Sequence, residues 1–152
     1  MTDILKRAWS DMLRPILQRP RRIQVAALCY RQTDLGKQVL MITSRDTHRW
    51  ILPKGWPIDG HDCAGSALQE AWEEAGVKSA DIDPKPIGQY SYQKGLGGGL
   101  TTEVDTQVYA TSVRDLSDTY PESYERSRRW VTPKDAANMV DEPELREILR
   151  AF

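Results

Sequence analysis

Between Cys63 and Ala75 the apolar residues Ala64, Ala67, Leu68, Ala71 and Ala75 recur at helical spacing. At about 100° per residue they fall on one arc, and Glu70, Glu73 and Glu74 share the neighbouring arc. Asp62 is placed to cap the N-terminus and Gly76 to end the segment in the left-handed conformation, so the pattern predicts a helix over 63–75. The runs Arg22–Arg31 and Gln38–Arg45 are rich in β-branched and apolar residues and are separated by the turn-forming TDLGK, which predicts two buried strands. Trp50, Ile51 and Leu52 form a short third run. Ile87–Lys94 and Thr102–Val113 predict two more strands around Gly95, Gly97, Gly98 and Gly99, a loop that either folds over phosphates or merely turns a hairpin, the hairpin being the reading preferred. In the second of these, Glu103, Asp105, Gln107 and Tyr109 alternate with Val104, Thr106, Val108 and Ala110, so one polar face is expected, with Glu103 and Asp105 turned toward a cleft. A helix over 134–139, opened by Thr132 or Pro133, and a last helix over 142–151, striped by Leu145, Ile148 and Leu149, complete the pattern. Strands and helices in this order predict an α/β sandwich with a mixed β-sheet.

Ahead of this, residues 4–18 place Leu5, Trp9, Met12, Leu13, Ile16 and Leu17 at mostly helical spacing, with Pro15 dividing or kinking the segment. The expected organisation is an amphipathic helical arm over 1–20, packed on the domain or on a second subunit, and one domain over 21–152. A chain of 152 residues with 39% hydrophobic content and five tryptophans suits a single core. A net charge of −1 gives no global attraction to DNA or to a membrane surface, so any polyanion site must be a local cluster of basic residues. Cys29 and Cys63 have no metal-type spacing and fit a reducing compartment. No run is long and apolar enough for a signal peptide or a bilayer span, and a cytoplasmic monomer or homodimer is expected.

The glutamates change the picture. Like charges three and four residues apart destabilise a bare helix by about 0.2–0.5 kcal/mol per pair, which a divalent cation would relieve. Oxygen-only ligands suit Mg²⁺, with Mn²⁺ as the alternative, bridging carboxylates to substrate phosphates. On spacing alone, a solvated acidic face paired with nearby lysines remains open.

The stretch Gly55–Val77, GWPIDGHDCAGSALQEAWEEAGV, narrows the choice. It resembles the Nudix box: Gly, five residues, Glu, seven residues, then Arg-Glu-apolar-x-Glu-Glu-x-Gly-apolar. Gly55, Glu70, Ala71, Glu73, Glu74, Gly76 and Val77 fit that pattern. His61 stands in place of the first Glu and Gln69 in place of the Arg, which we read as a matched replacement of two mutually supporting residues. The wider runs VAALCYR, SRDTHRWILPKGW and SRRWV are similar to the branch of the family that hydrolyses diphosphoinositol and diadenosine polyphosphates. The resemblance implies a Nudix α/β/α sandwich in which Glu70, Glu73 and Glu74 hold metal and serve catalysis.

It further implies a Mg²⁺-dependent pyrophosphohydrolase acting on a small-molecule polyphosphate of diadenosine or diphosphoinositol type. Alternatives are an RNA 5′-pyrophosphate hydrolase, an ADP-ribose hydrolase, or a Nudix-like module that binds nucleotides without cleaving them. Glu103 joins the catalytic candidates, since the general base is open among Glu70, Glu103, Glu122 and Glu125. Arg22, Ser44, Arg45, Lys54 and Arg128 are the expected substrate-binding residues, arginine being suited to bidentate phosphate capture.

Overall fold

The computed structural model describes residues 22–152, so the predicted N-terminal arm lies outside the described residues. Eleven elements follow: β1 (Arg22–Thr33), β2 (Gly36–Thr43), β3 (Trp50–Ile51), β4 (Lys54–Gly55), α1 (Cys63–Ala75), β5 (Val77–Ile82), β6 (Gly88–Gly97), β7 (Leu100–Leu116), β8 (Arg128–Val131), α2 (Pro133–Met139) and α3 (Pro143–Ala151). All strands join one mixed sheet ordered β3-β2-β1-β7-β5, with β4 paired to β1, β6 to β7 and β8 to β2. The parallel contact is β1 with β7, from Arg22 opposite Val104 to Tyr30 opposite Ser112; the remaining pairs are antiparallel.

Helices cover both faces of this sheet. On one, Val25, Ala27, Cys29, Leu40 and Ile42 pack against Ala64, Ala67, Ala71 and Ala75 of α1. Alanines along the contact let the helix lie close to the sheet, with Glu70 and Glu74 against Gly55 and Lys54 of β4. On the other, Ala26, Leu28, Val39, Met41 and Val108 pack under α2 and α3 through Ala136, Ala137, Leu145 and Leu149. The fold is the expected α/β/α sandwich.

Double coverage overturns one expectation. The middle of β7 has no polar face: Asp105, Thr106 and Tyr109 are as buried as Val104 and Val108. A central strand is covered on both sides, so alternation no longer sorts water from core. Two strands escaped the hydrophobic pattern. β4 spans two residues, and β5 carries exposed Lys78 and Asp81 and pairs with β7 through register shifts, so neither presents a run of apolar residues.

Candidate functional site

The predicted capping residues fix the ends of α1. Asp62 accepts a hydrogen bond from Gly65 N–H at 2.6 Å, and Gly76 takes φ 72°, where a Cβ would meet Tyr120, Arg128 and the Ser117 carbonyl. Arg128 closes the C-terminus. Its Nη1 donates to the carbonyls of Ala75 and Ser117, both at 2.8 Å, its Nη2 to Asp118 at 2.9 Å, and its guanidinium lies 4.9 Å from the Tyr120 ring centroid. A positive group there complements the helix dipole. Arg128, expected among the phosphate binders, is thus committed to the helix end and does not line the cleft that Glu70, Glu73 and Glu74 face.

That cleft has a volume of about 810 Å³. The α1 glutamates form one wall. Facing it are the loop 44–49, Lys54 to Ile58, Tyr92 to Gly95, and Glu122 with Arg126. Gly55 has a steric reason to be glycine, since a Cβ there would collide with the Glu70 carboxylate. Burial, then the charges of Glu74, Glu73 and Glu122, push the Glu70 carboxyl from an ordinary 4.5 up to about 8, helped by a hydrogen bond with Glu74. Glu74 is buried, and burial also raises it; Arg126 and the Lys54 N–H work in the opposite direction. Its Oε2 accepts from Lys54 N–H at 3.1 Å and its Oε1 lies 3.3 Å from Arg126 Nη2. Glu73 accepts from the Gln69 side-chain amide at 3.0 Å.

Arg126 was not among the predicted site residues, and no spacing in the sequence distinguishes it from Arg128 and Arg129. Its side chain is 5% exposed; Nη1 donates to the Thr43 carbonyl and Nη2 joins Glu74 and Glu122. Ser44, Arg45 and Lys54 do line the cleft. Arg45 is exposed and lies 3.4 Å from both Glu122 and Glu125. The Lys54 ammonium sits 4.8 Å from the Tyr92 ring centroid, its pKa lowered by burial against the opposing pull of Glu74. Arg22 is set back, its guanidinium 5.8 Å from the ring centroid of the cleft residue Trp56. Glu103 is exposed on β7 opposite Gln93 and is not part of the cleft lining. His61 and Gln69 both border a second groove of about 530 Å³ behind α1, but the Gln69 amide bonds Glu73.

Among the described residues no three acidic, His or Cys side chains already converge as a closed metal cage. The donor set nevertheless fits a hard divalent cation: every candidate ligand is a carboxylate, and Glu70 and Glu74 share a hydrogen bond where a cation would replace the proton.

Comparison with known proteins agrees with this geometry. The sequence profile of the NUDIX domain matches residues 20–152. The chain is 31% identical over 124 residues to Nudix hydrolase 13, mitochondrial, of Arabidopsis thaliana, covering 76% of this chain and 59% of that protein. It is 27% identical over 119 residues to diphosphoinositol polyphosphate phosphohydrolase 2 of Mus musculus, covering 77% and 62%. The chain thus spans about 60% of the length of these relatives. Among solved structures, a C. elegans Ap4A hydrolase superposes with a TM-score of 0.63 at 20% identity, covering 86% of this chain and 94% of that one. An E. coli dihydroneopterin triphosphate pyrophosphohydrolase gives 0.64 at 17%, covering 87% and 94%. At such identities these structures establish the fold alone.

Proposed function

The chain belongs to the Nudix family, and from that premise we propose that it is a Mg²⁺- or Mn²⁺-dependent hydrolase that opens a diphosphate linkage in a small polyphosphorylated molecule of diadenosine polyphosphate or diphosphoinositol polyphosphate type. One observation carries this reading: a single cleft is lined both by the carboxylates of Glu70, Glu73 and Glu74 and by Ser44, Arg45 and Lys54. An acidic wall to hold a cation and a basic wall to hold phosphates are what P–O–P cleavage by water requires. Relatives whose names specify diphosphoinositol polyphosphate support the substrate class.

Glu70, Glu73 and Glu74 would hold the metal. A bound divalent ion would supply charge neutralisation at the phosphates and acidify an attacking water. The remaining work falls to the chain's own side chains. Arg45, more than half exposed and with donors to spare, binds substrate oxygen. Lys54, packed over Tyr92 next to Gly55, brings a second positive charge to the cleft floor. Arg126 pairs with Glu74 at 3.3 Å and Glu122 at 3.1 Å, holds both carboxylates in place and opposes the upward push of burial on Glu74 without reaching into solvent. Glu70 and Glu122 line the cleft and are the best-placed proton acceptors for the attacking water, ahead of Glu125 beside Arg45 and of Glu103 outside the lining.

The test is phosphate release with Mg²⁺ over dinucleoside polyphosphates, inositol pyrophosphates, ADP-ribose and triphosphorylated RNA. Glu73→Gln and Glu74→Gln should each remove most turnover from a chain that still unfolds cooperatively. Wild-type rates in both variants would refute the metal assignment. Binding of these ligands without hydrolysis of any would favour a non-catalytic module.

A further inference from the structure

Arg49 enters the cleft from the end of the loop whose start carries Arg45. That loop is closed on itself. Ser44 N–H donates to the Arg49 carbonyl at 2.8 Å, His48 N–H to the Ser44 carbonyl at 3.1 Å, and Arg49 N–H to Ser44 Oγ at 3.1 Å. His48 takes φ 53°, a left-handed conformation uncommon outside glycine, in which histidine is enriched together with asparagine and aspartate. The loop that carries both arginines is therefore closed by hydrogen bonds among Ser44, His48 and Arg49.

The two arginines differ from the others near the site in what their guanidiniums have left to give. Arg126 and Arg128 each donate from both Nη atoms to the protein. Arg49 donates from Nη1 alone, to Asp141 and Glu142, both at 3.1 Å. Among the described residues its Nε and Nη2 edge has no acceptor, and that edge has the fork geometry that matches two phosphate oxygens.

Glu142 is the second observation. It occupies the N-cap of α3, yet its side chain caps nothing there. The carboxylate turns instead to Arg49, is 9% exposed, and leaves Oε2 buried without a hydrogen-bond partner. Burying a carboxylate with one oxygen unsatisfied costs stability that capping the helix would have avoided. Its charge also reaches Lys54, where it opposes the loss of the ammonium proton caused by burial. A single buried carboxylate thus underlies two cations of the cleft.

We propose that Arg49, aimed by Glu142, forms with Arg45 a two-arginine subsite for the phosphates of a polyphosphate chain lying beyond the linkage that is cleaved. The inference rests on the polyphosphate reading of the cleft and makes it narrower: of the two substrate types it selects the diadenosine polyphosphate one, with three or more consecutive phosphates. Arg49 is a binding residue, and Glu142 is a positioning residue acting through it.

The test uses the whole chain and two probes, inorganic pyrophosphate and inorganic tripolyphosphate, with binding measured by calorimetry in metal-free buffer. Arg49→Gln should weaken tripolyphosphate binding about tenfold and pyrophosphate binding less than about twofold, the scale of one lost charge-assisted fork. Glu142→Gln should move the ratio of the two affinities in the same direction, and Arg49→Lys should recover only part of it, since an ammonium lacks the planar fork. Equal losses for both anions, or none, would overturn the proposal. Should Glu142→Gln unfold the chain, Asp141→Asn decides: Asp141 is 68% exposed, so its loss should shift the ratio less than Arg49→Gln does, and a larger shift would contradict the aiming role of Glu142. A subsite that discriminates by length in a chain that hydrolyses nothing with Mg²⁺ would sink the hydrolase reading alone; hydrolysis indifferent to chain length would sink the subsite alone.

Discussion

Glu70→Gln in metal-free protein tests the electrostatic argument at its centre. Glu70 sits half-buried beside Glu74, Glu73 and Glu122, and its carboxyl is pushed from 4.5 to about 8. A raised folded-state pKa means that the native chain binds a proton that the unfolded chain has released. The contribution of this group is therefore fully present below pH 4.5 and is lost as pH climbs to about 8, above which it is flat. Taken at face value the displacement amounts to about 5 kcal/mol, at 1.36 kcal/mol per pH unit. Because Glu70 is partly open to water, screening reduces this to roughly 1–2 kcal/mol. Glutamine copies the neutral carboxyl in shape and cannot ionise. In urea or thermal unfolding with EDTA, the variant should match wild type near pH 5 and exceed it by roughly 1–2 kcal/mol at pH 8.5, or about 2–8 °C in Tm for a chain of this size. Excess Mg²⁺ should reverse the order at pH 8.5, because the variant loses a ligand. A difference between variant and wild type that stays constant from pH 5 to 8.5 without metal would refute the crowded-carboxylate account.

Three further substitutions probe the supports of the site. Arg128→Ala leaves the Ala75 and Ser117 carbonyls without their donor and should cost about 1–3 kcal/mol in urea unfolding while KM stays unchanged; a raised KM would return Arg128 to the substrate site. Gly55→Ala places a methyl against the Glu70 carboxylate and should weaken Mg²⁺ affinity measured by calorimetry at least as much as it lowers Tm; a loss of Tm alone would count against the role given to the glycine. Arg126→Ala removes the cation paired with buried Glu74 and should destabilise by about 3–5 kcal/mol without metal, with part of the loss recovered in Mg²⁺ as read by thermal unfolding. No recovery would mean that Arg126 acts through packing alone.

Legibility followed from how local the determinants are. The limits of α1, its Asp62 cap, its Gly76 stop and its glutamate arc were readable because each depends on residues within one or two turns of the helix. The predicted strands that form β1, β2, β6 and β7 were readable from apolar or alternating runs, to within a few residues at their ends, whereas β8 was reached only through the resemblance of SRRWV. Failures arose where neighbours distant in sequence decide. The interior of β7 lost its polar face because β1 and β6 flank it while helices cover both sides of the sheet. Arg22, Ser44, Arg45, Lys54 and Arg128 looked alike as candidate phosphate binders, yet three line the cleft, one stands against Trp56 and one closes a helix. Arg126 and Glu142 escaped notice because their importance lies in burial beside Glu74 and Arg49, and nothing in their flanking residues encodes that.

Arg126 also alters how the two departures from the box pattern are understood. With Gln69 in place of arginine, α1 carries three glutamates on one arc and no positive charge of its own at their side. Gln69 keeps a hydrogen bond to Glu73, but an amide cannot offset charge. The compensating cation comes from residue 126, held by the Thr43 carbonyl in a segment joined to β2 by Ser127 N–H to Thr43 Oγ1 and by Thr43 N–H to the Ser127 carbonyl. The same segment joins α1 through Glu122 N–H to the Glu73 carbonyl. Positive charge beside Glu74 is thus supplied by a strap anchored on both the sheet and the helix. The three glutamates, Gln69 and Arg126 are therefore one connected arrangement of hydrogen bonds and ion pairs.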